Sequence, residues 1–388
     1  MNGQRLQQLR LARNLSLEDL AVQLGGIITK QAISKYEHGK ANPTPTVLAK
    51  LGNVLGVNAS YFFTEPSIRV EFIACRQSGV LPMREVERLA SEIEYELENR
   101  VEIMELLGKV GGIRIPIQTF PVRSMDDAEK AAESLRSSWE LGLEPIANVT
   151  ETLESNYICV VNVETDNDFD GVSAKVYDQE NNLKTVALVT RCNVDTVRQR
   201  LNLTHELGHL VMKVSKNLDE EDAAFRFGKA FLAPARRIFE DVGKRRALIQ
   251  LQELLLLKKR YGLSIQALLR RLFELKIITE LYCREWNSTI NKLGWKKHEP
   301  EDWDTEKSYW LEKHILRLFA EGIIDQNAVK RIIQCDVEFD LPASVIQRRQ
   351  FLKLPLEKRR QVLAEQAARV AKRYEEAKED FGGGDIVE

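Results

Sequence analysis

Apolar residues recur every three or four positions through residues 1–64, which predicts a compact bundle of short helices. Ser16 followed by Asp19 forms a capping box at the start of the second helix. Thr29 can cap a third helix that opens on Lys30. Two helices joined by a tight turn in this way have the layout of a helix-turn-helix DNA-binding unit.

The pattern changes in residues 113–192, where helices and strands alternate, and the predicted second domain extends over residues 113–300. An amphipathic helix is predicted over Ala128–Glu140. β-branched runs at 158–163 and 186–189 are typical of strands, and helical periodicity returns after about residue 245. Strands beside helices predict a small α+β domain.

Two mainly helical regions flank this domain. Residues 65–112 are interpreted as a helical linker, with a long charged helix from Met83 to about Leu107 that is either a spacer or a dimer contact. In residues 301–388, Pro355 opens a long helix, and its apolar positions are spaced by four and three residues: Leu363, Ala367, Val370, Tyr374 and Ala377. This stripe can bind a partner protein or a second copy of the chain, or it can be ordinary core.

Charge is unevenly distributed. The 388 residues carry a net charge of −2, yet residues 1–60 have seven basic and three acidic side chains, so the first unit is positive and the rest negative. We therefore expect only the N-terminal unit to contact nucleic acid. Candidate DNA-contacting residues are Lys30, Gln31, Ser34, Lys35 and Lys40. The alternative is a small helical interaction module with solvated charges.

The sequence predicts a cytoplasmic protein. No apolar run approaches the roughly 20 residues of a membrane span, and the N-terminus has no secretory signal. The five cysteines are scattered and odd in number, which is typical of reduced thiols. A metal site would therefore rest on histidine and carboxylate.

A candidate metal site lies in the pentapeptide His205-Glu206-Leu207-Gly208-His209. Two histidines four residues apart on one helix can hold a single zinc ion, and Glu206 can take a proton from an attacking water molecule. Catalytic zinc usually has a third protein ligand. One of the carboxylates in Asp219-Glu220-Glu221-Asp222 is a candidate, although acidic residues are also common at a helix N-terminus. The alternative to a metal site is a surface helix that carries this motif by chance.

The N-terminal residues resemble the Xre-type, Cro-like helix-turn-helix repressors. The resemblance covers Leu17–Leu24 and the run from Gln31 to Lys40. It departs at Gly26-Ile27-Ile28, where the turn is about two residues longer than usual. The resemblance implies binding to double-stranded operator DNA, and we expect a homodimer.

Residues of about 120–280 resemble the ImmA/IrrE metallopeptidase family. The resemblance is carried by Phe169-Asp170-Gly171, by the HELGH helix and by the segment from Glu221 to Pro234, among others. It implies that Glu221 is the third zinc ligand, and that the substrate is a DNA-bound repressor or another partner protein. The ending from Phe351 onwards has a weaker resemblance to small antitoxins.

The sequence thus predicts an α+β multidomain chain. An all-α helix-turn-helix domain precedes a small zincin-like metallopeptidase domain and a helical C-terminal region that binds a partner protein. The predicted function is a DNA-binding regulator with a zinc endopeptidase domain, the repressor or antitoxin component of a toxin–antitoxin or phage-type module. Two alternatives remain open: a non-catalytic zinc-containing repressor or antitoxin that sequesters its partner, and a protease that cleaves a DNA-bound repressor.

Overall fold

The N-terminal residues fold as the predicted helical bundle. A computed structural model describes residues 1–77, 82–108, 119–165, 169–192, 194–296, 298–301, 303–304, 306–333, 351–352 and 354–381. The bundle comprises α1 (Gly3–Ala12), α2 (Leu17–Gln23), α3 (Lys30–Glu37) and α4 (Pro45–Leu55), followed by a 3₁₀ turn over Ala59–Phe63. Ser16 and Asp19 form the predicted capping box, and the Thr29 side chain accepts from the Ala32 amide. Leu6, Leu9, Leu20, Ile33 and Leu51 are fully buried between the helices.

A four-stranded mixed sheet follows the bundle. Its strands are β1 (Ile68–Gln77), β3 (Ile158–Val163), β4 (Phe169–Asp178) and β5 (Leu183–Arg191), in the spatial order β1-β4-β5-β3. Strand β4 is antiparallel to both β1 and β5, whereas β3 is parallel to β5. Two short strands, β2 (Phe120–Val122) and β6 (Met212–Val214), pair in parallel as a separate ribbon.

Strands β1 and β4 were not predicted. Residues 68–77 lie in the region interpreted as a helical linker, yet they pair along the edge of β4. Charged residues such as Arg69 and Glu71 alternate with apolar ones in β1, and Asp170 and Lys175 interrupt β4. Because its charged positions alternate with apolar ones, β1 was interpreted as part of the linker, whereas β4, inside the predicted α+β domain, was not recognised as a strand because its apolar run is interrupted.

Helices cover both faces of the sheet. On one face, α5 (Met83–Leu106) packs on the small core, which includes Leu97, Val161 and Val189. The other face forms the large core with α6 (Met125–Ser138), α8 (Thr196–Val211) and α9 (Glu220–Leu232). The remaining helices are α7 (Val149–Ser155), α10 (Ala235–Val242), α11 (Leu251–Tyr261), α12 (Ile265–Glu274), α13 (Glu280–Lys292), α14 (Trp310–Ala320) and α15 (Gln326–Ile333).

Helix α5 joins the N-terminal bundle to the sheet. The bundle core includes Tyr95 of α5, and the guanidinium of Arg5 donates two hydrogen bonds to the buried carboxylate of Glu98, one of 2.8 Å. Residues 83–106 were predicted as a long helix, and this part of the prediction is confirmed. The apolar residues of α5 therefore belong to the core, and the helix is not an exposed spacer.

The chain divides into two compact units, Met1–Gln334 and Cys335–Glu388. In the second unit, α16 (Leu356–Phe381) begins after Pro355, as predicted. Leu363 and Ala367 are exposed on this helix; the other stripe side chains, those of Val370, Tyr374 and Ala377, lie outside the described part of the structure. Within the described residues, no helix combines the length and apolar character needed to cross a membrane.

Candidate metal centre and nucleic-acid interface

Helix α8 carries both histidines of the candidate site. Asp195 caps the helix by accepting a hydrogen bond of 3.1 Å from the Val197 amide. Val197, His205 and His209 are buried, in a helix that is buried at nearly every position. His205 has no exposed surface and His209 is 7% exposed, so the two imidazoles are held within the fold.

Helix α9 brings a carboxylate to these histidines. Asp219 caps α9 by accepting from the Asp222 amide at 2.9 Å, which places Glu221 in the first turn. One oxygen of Glu221 lies 3.1 Å from His209 Nε2, and the other lies 3.3 Å from His205 Nε2. The structure therefore brings the three predicted ligands together, although Glu221 is separated from the motif by a strand and a turn.

The donor atoms fit a zinc ion. The two Nε2 atoms are 3.1 Å apart, and one ligand atom from each of His205, His209 and Glu221 lies within 4.8 Å of the others. Ligands at the zinc–nitrogen distance of about 2.0–2.1 Å in a tetrahedral site stand about 3.3 Å from one another. Two imidazoles and a carboxylate are also a donor set that zinc accepts. The assignment of the three residues as metal ligands stays a prediction.

Glu206 lies on the side of α8 that faces the sheet. Its side chain packs against Gly171 of β4: a Cβ at Gly171 would stand 3.1 Å from Glu206 Cγ and 3.3 Å from Oε1. It would also stand 3.0 Å from the carbonyl oxygen of Val189. A residue without a side chain is therefore needed for the carboxylate to approach the strand this closely. Only 1% of Glu206 is exposed.

A polar cluster ties β4 to α8 beside Glu206. The buried carboxylate of Asp170 accepts a 2.6 Å hydrogen bond from Arg198. The Asn202 amide donates to the backbone oxygen of Asp170 at 3.2 Å. No role was predicted for Asp170 or Asn202, because their contact joins segments about 30 residues apart. Asp170 does lie in a stretch that carries the family resemblance, which was the signal available in the sequence.

A groove of about 490 Å³ opens next to the histidines. The ring of Phe225 lies 4.3 Å from that of His205, centroid to centroid, and it lines the groove with Leu201, Arg226 and Arg270, among others. The groove has apolar and charged walls and is large enough to accept a side chain of a bound peptide.

The predicted DNA-contacting residues lie on and just after α3. Lys30, Gln31, Lys35 and Lys40 are exposed, whereas Ser34 is half-buried. Lys30 is paired with Glu18 at 2.6 Å, and both side chains are more than half exposed, so solvent and salt can readily compete with this pair. Gly25 and Gly26 adopt positive φ values of 75° and 68° in the turn before α3, where the sequence departs from the resemblance.

A buried ion pair holds α3 on the bundle. Arg10 of α1 donates to both carboxylate oxygens of Glu37, at 2.6 and 2.9 Å. Because a bidentate pair fixes both distance and orientation, the exposed face of α3 is presented on a rigid support.

Comparisons with known proteins match both regions. Residues 6–62 match the profile of a family described as helix-turn-helix, and residues 170–273 match that of the IrrE N-terminal-like domain. Over 61 residues the chain is 43% identical to the SPbeta prophage-derived uncharacterized HTH-type transcriptional regulator YonR of Bacillus subtilis (strain 168). That match covers 16% of this chain and 55% of the relative, so the chain spans about half of the relative's length. No solved structure matches the chain.

The matched segments contain both candidate sites. Lys30 to Lys40 lie within the first segment, and the two histidines, Glu206 and Glu221 lie within the second. The chain therefore carries an Xre-like helix-turn-helix domain at its N-terminus and an IrrE-like domain of the metallopeptidase family after it.

Proposed function

We propose that this protein is a cytoplasmic DNA-binding transcriptional regulator whose IrrE-like domain is a zinc endopeptidase. One observation carries the proposal: two buried histidines and a carboxylate from a second helix converge, with Glu206 on the same helix as the histidines. The helix-turn-helix domain, with its exposed lysines and Gln31, supports binding to double-stranded operator DNA as a homodimer.

His205, His209 and Glu221 would hold the zinc ion. When bound, zinc supplies Lewis-acid chemistry, which polarises a peptide carbonyl and favours loss of a proton from water. The Glu206 carboxylate accepts a proton from the attacking water and passes it to the departing amine. Burial of Glu206 keeps bulk water from competing for this proton.

The substrate we propose is a partner protein, either a repressor bound at the same DNA or a toxin encoded nearby. Tethering a protease to an operator raises the local concentration of any protein bound there. The prophage origin given in the name of the Bacillus subtilis relative supports a phage-type or toxin–antitoxin setting.

A second function is favoured by one specific observation. Glu206 is 1% exposed and His205 is fully buried, so a peptide has little access to these two side chains in this conformation, whereas the side chain of Glu221 is 55% exposed. A non-catalytic regulator, in which zinc stabilises the fold and the chain acts by binding DNA and sequestering its partner, fits this limited access.

The experiment that separates the two functions compares protein termini in cells expressing either the native chain or Glu206→Gln. The glutamine keeps the shape of the side chain but cannot accept the proton. The endopeptidase predicts new N-termini, in one or a few proteins, that occur only with the native chain. Identical termini in both strains, with zinc bound by both purified proteins, would support the non-catalytic function instead.

A further inference from the structure

Strand β1 covers the outer edge of β4, the strand nearest Glu206. The two strands are antiparallel, with Val70 opposite Val176, Phe72 opposite Ala174 and Arg76 opposite Gly171. Gly171 is also the residue that packs against the Glu206 side chain. The C-terminal end of β1 therefore lies one strand away from the proposed catalytic carboxylate.

A peptide that is to be cleaved here needs the same position. Its backbone must be extended near Glu206, and its amide and carbonyl groups then require hydrogen-bond partners. An exposed strand edge supplies such partners in register, as in peptide binding by strand addition. Since β5 covers the inner edge of β4, the outer edge is the one open to a peptide, and β1 occupies it. Strand β1 also contacts α8, the helix that bears the histidines and Glu206.

Strand β1 is anchored unevenly. At its start, Ile68 is 8% exposed and Val70 is half-buried against the small core. Farther along, Phe72 and Ile73 are 39% and 40% exposed. The pairing also shifts between Phe72 and Ala74, and an irregularity of this kind disrupts the ladder locally. Ile68 and Val70, at the start of β1, thus anchor the strand on the small core.

We propose that β1 is an intramolecular ligand of the β4 edge, and that a peptide substrate binds there only when β1 leaves. The ligand class is an extended polypeptide that pairs antiparallel to β4, with apolar side chains at the positions of Ile68 and Val70. The proposal that this peptide is a substrate rests on the proposed endopeptidase function. Binding of a peptide to the β4 edge can, however, be measured without catalysis.

The test measures binding of a fluorescein-labelled peptide of residues 66–77 to the full-length zinc-loaded protein by fluorescence anisotropy. Val70→Asp places a carboxylate against the small core and should release β1 from β4. The peptide can bind only those molecules in which β1 has left β4, so its apparent Kd is its intrinsic Kd divided by the fraction of such molecules. A substitution that releases β1 raises this fraction and lowers the apparent Kd. We expect the peptide to bind Val70→Asp at least about tenfold more tightly than the native chain. Ile73→Asp is the matched control, because it introduces the same charge into the same strand at a side chain that is already exposed.

Two further measurements keep the outcome clear. Val70→Ala is a milder change that should tighten peptide binding by about threefold. This variant replaces Val70→Asp in the binding test if Val70→Asp does not fold. A peptide carrying the Val70→Asp change should not bind. Equal affinity of the native chain and of both folded Val70 variants would overturn the proposal. Tighter peptide binding by the Val70 variants without any Glu206-dependent cleavage would support the β4 binding site and contradict only the proposed endopeptidase function.

Discussion

At the residue scale, the position of Glu206 depends on the residue opposite it. The motif places Glu206 beside His205, and Gly171 of β4 leaves room for its carboxylate against the sheet. Two helices position the three candidate zinc ligands, whereas a helix and a strand position the side chain of Glu206. Zinc binding and hydrolysis can therefore be separated by single substitutions.

Substituting Gly171 by alanine should lower hydrolysis and leave zinc binding intact. The new Cβ would stand 3.1 Å from Glu206 Cγ, so the carboxylate must shift by a few tenths of an ångström or more. Small displacements of a reacting group cost activity steeply, and we expect a loss of about tenfold or more in the rate of Glu206-dependent cleavage. Zinc content and the cleavage rate should be measured on the same preparation. Unchanged cleavage by Gly171→Ala would show that Glu206 is not held by this contact.

The sequence predicted these residues to different extents. His205, Glu206 and His209 were identified because they lie within about one helical turn, where spacing alone fixes geometry. Glu221 was one of four neighbouring carboxylates until the family resemblance singled it out. Gly171 was given no role, since its contact with Glu206 crosses from a strand to a helix 35 residues away and leaves no local pattern.

At the element scale, α3 is an exposed helix on a rigid support, as a DNA-reading helix requires. Changing Gln31 to alanine should alter base preference, because glutamine can form paired hydrogen bonds with adenine. Changing Lys35 or Lys40 should weaken binding to all sequences and reduce its salt dependence. Binding of each full-length variant to a set of operator sequences should be titrated at several salt concentrations. Equal loss at every sequence with Gln31→Ala would contradict its assignment as a base-reading residue.

Helix α5 couples the bundle to the sheet through Glu98, and this contact should depend on pH. Burial favours a raised pKa for Glu98, but hydrogen bonds from Arg5 and Ser67 outweigh it and hold the pKa below its ordinary value of 4.5. A carboxylate whose pKa is lowered on folding contributes stability above the unfolded-state pKa. That contribution is lost as the pH falls from about 4.5 through the folded-state pKa.

Glu98→Gln should therefore lower stability at pH 7, by about 3 kcal/mol, because Arg5 is left buried without its charged partner. The variant should also lose less further stability than the native chain between pH 5 and 3, as measured by urea unfolding. Glu87→Gln, an exposed position on the same helix, should behave like the native chain. Parallel pH profiles for Glu98→Gln and native protein would contradict this role for Glu98.

Helices and strands could be predicted where apolar residues recur with one constant period over a long enough stretch of sequence. Capping residues located α2 and α3, and the long charged helix predicted from Met83 to about Leu107 matches α5 to within one residue at its end. β1 was missed because an edge strand needs apolar residues on only one face and its charged positions resemble a linker. β4 was missed although it lies inside the sheet, because Asp170, Gly171 and Lys175 interrupt its apolar pattern. Long-range pairing between residues 68–77 and 169–178 is a property of the tertiary fold that short-range periodicity does not encode.

At the scale of the whole molecule, DNA-binding and metal-binding candidates share one unit, and the C-terminal helix belongs to another. Leu363 and Ala367 are exposed on α16, and the role of the stripe, whether it binds a partner protein, binds a second copy or forms core, stays a prediction. Under the proposed function, the DNA-binding region would bring a proteolytic site and a partner-binding helix to the same complex.

Removing residues 345–388 should abolish capture of the partner protein while leaving zinc content and operator binding unchanged. The truncated and native chains should be compared by pull-down of the proteins encoded beside this gene. Glu206→Gln is the control, since it changes the metal site and leaves the tail intact. Loss of zinc or unfolding of the truncated chain would show that the tail is part of the core.

The most direct measurement of the central claim is zinc binding by native chain, Glu221→Gln and Glu220→Gln. Both glutamates lie in the first turn of α9, but only Glu221 reaches the Nε2 atoms of both histidines, whereas Glu220 lies 3.4 Å from His209 Nδ1. We predict about one zinc per chain for the native protein and Glu220→Gln, and affinity at least about a hundredfold weaker for Glu221→Gln. Equal zinc affinity for all three chains would contradict the assignment of the metal centre and the function built on it.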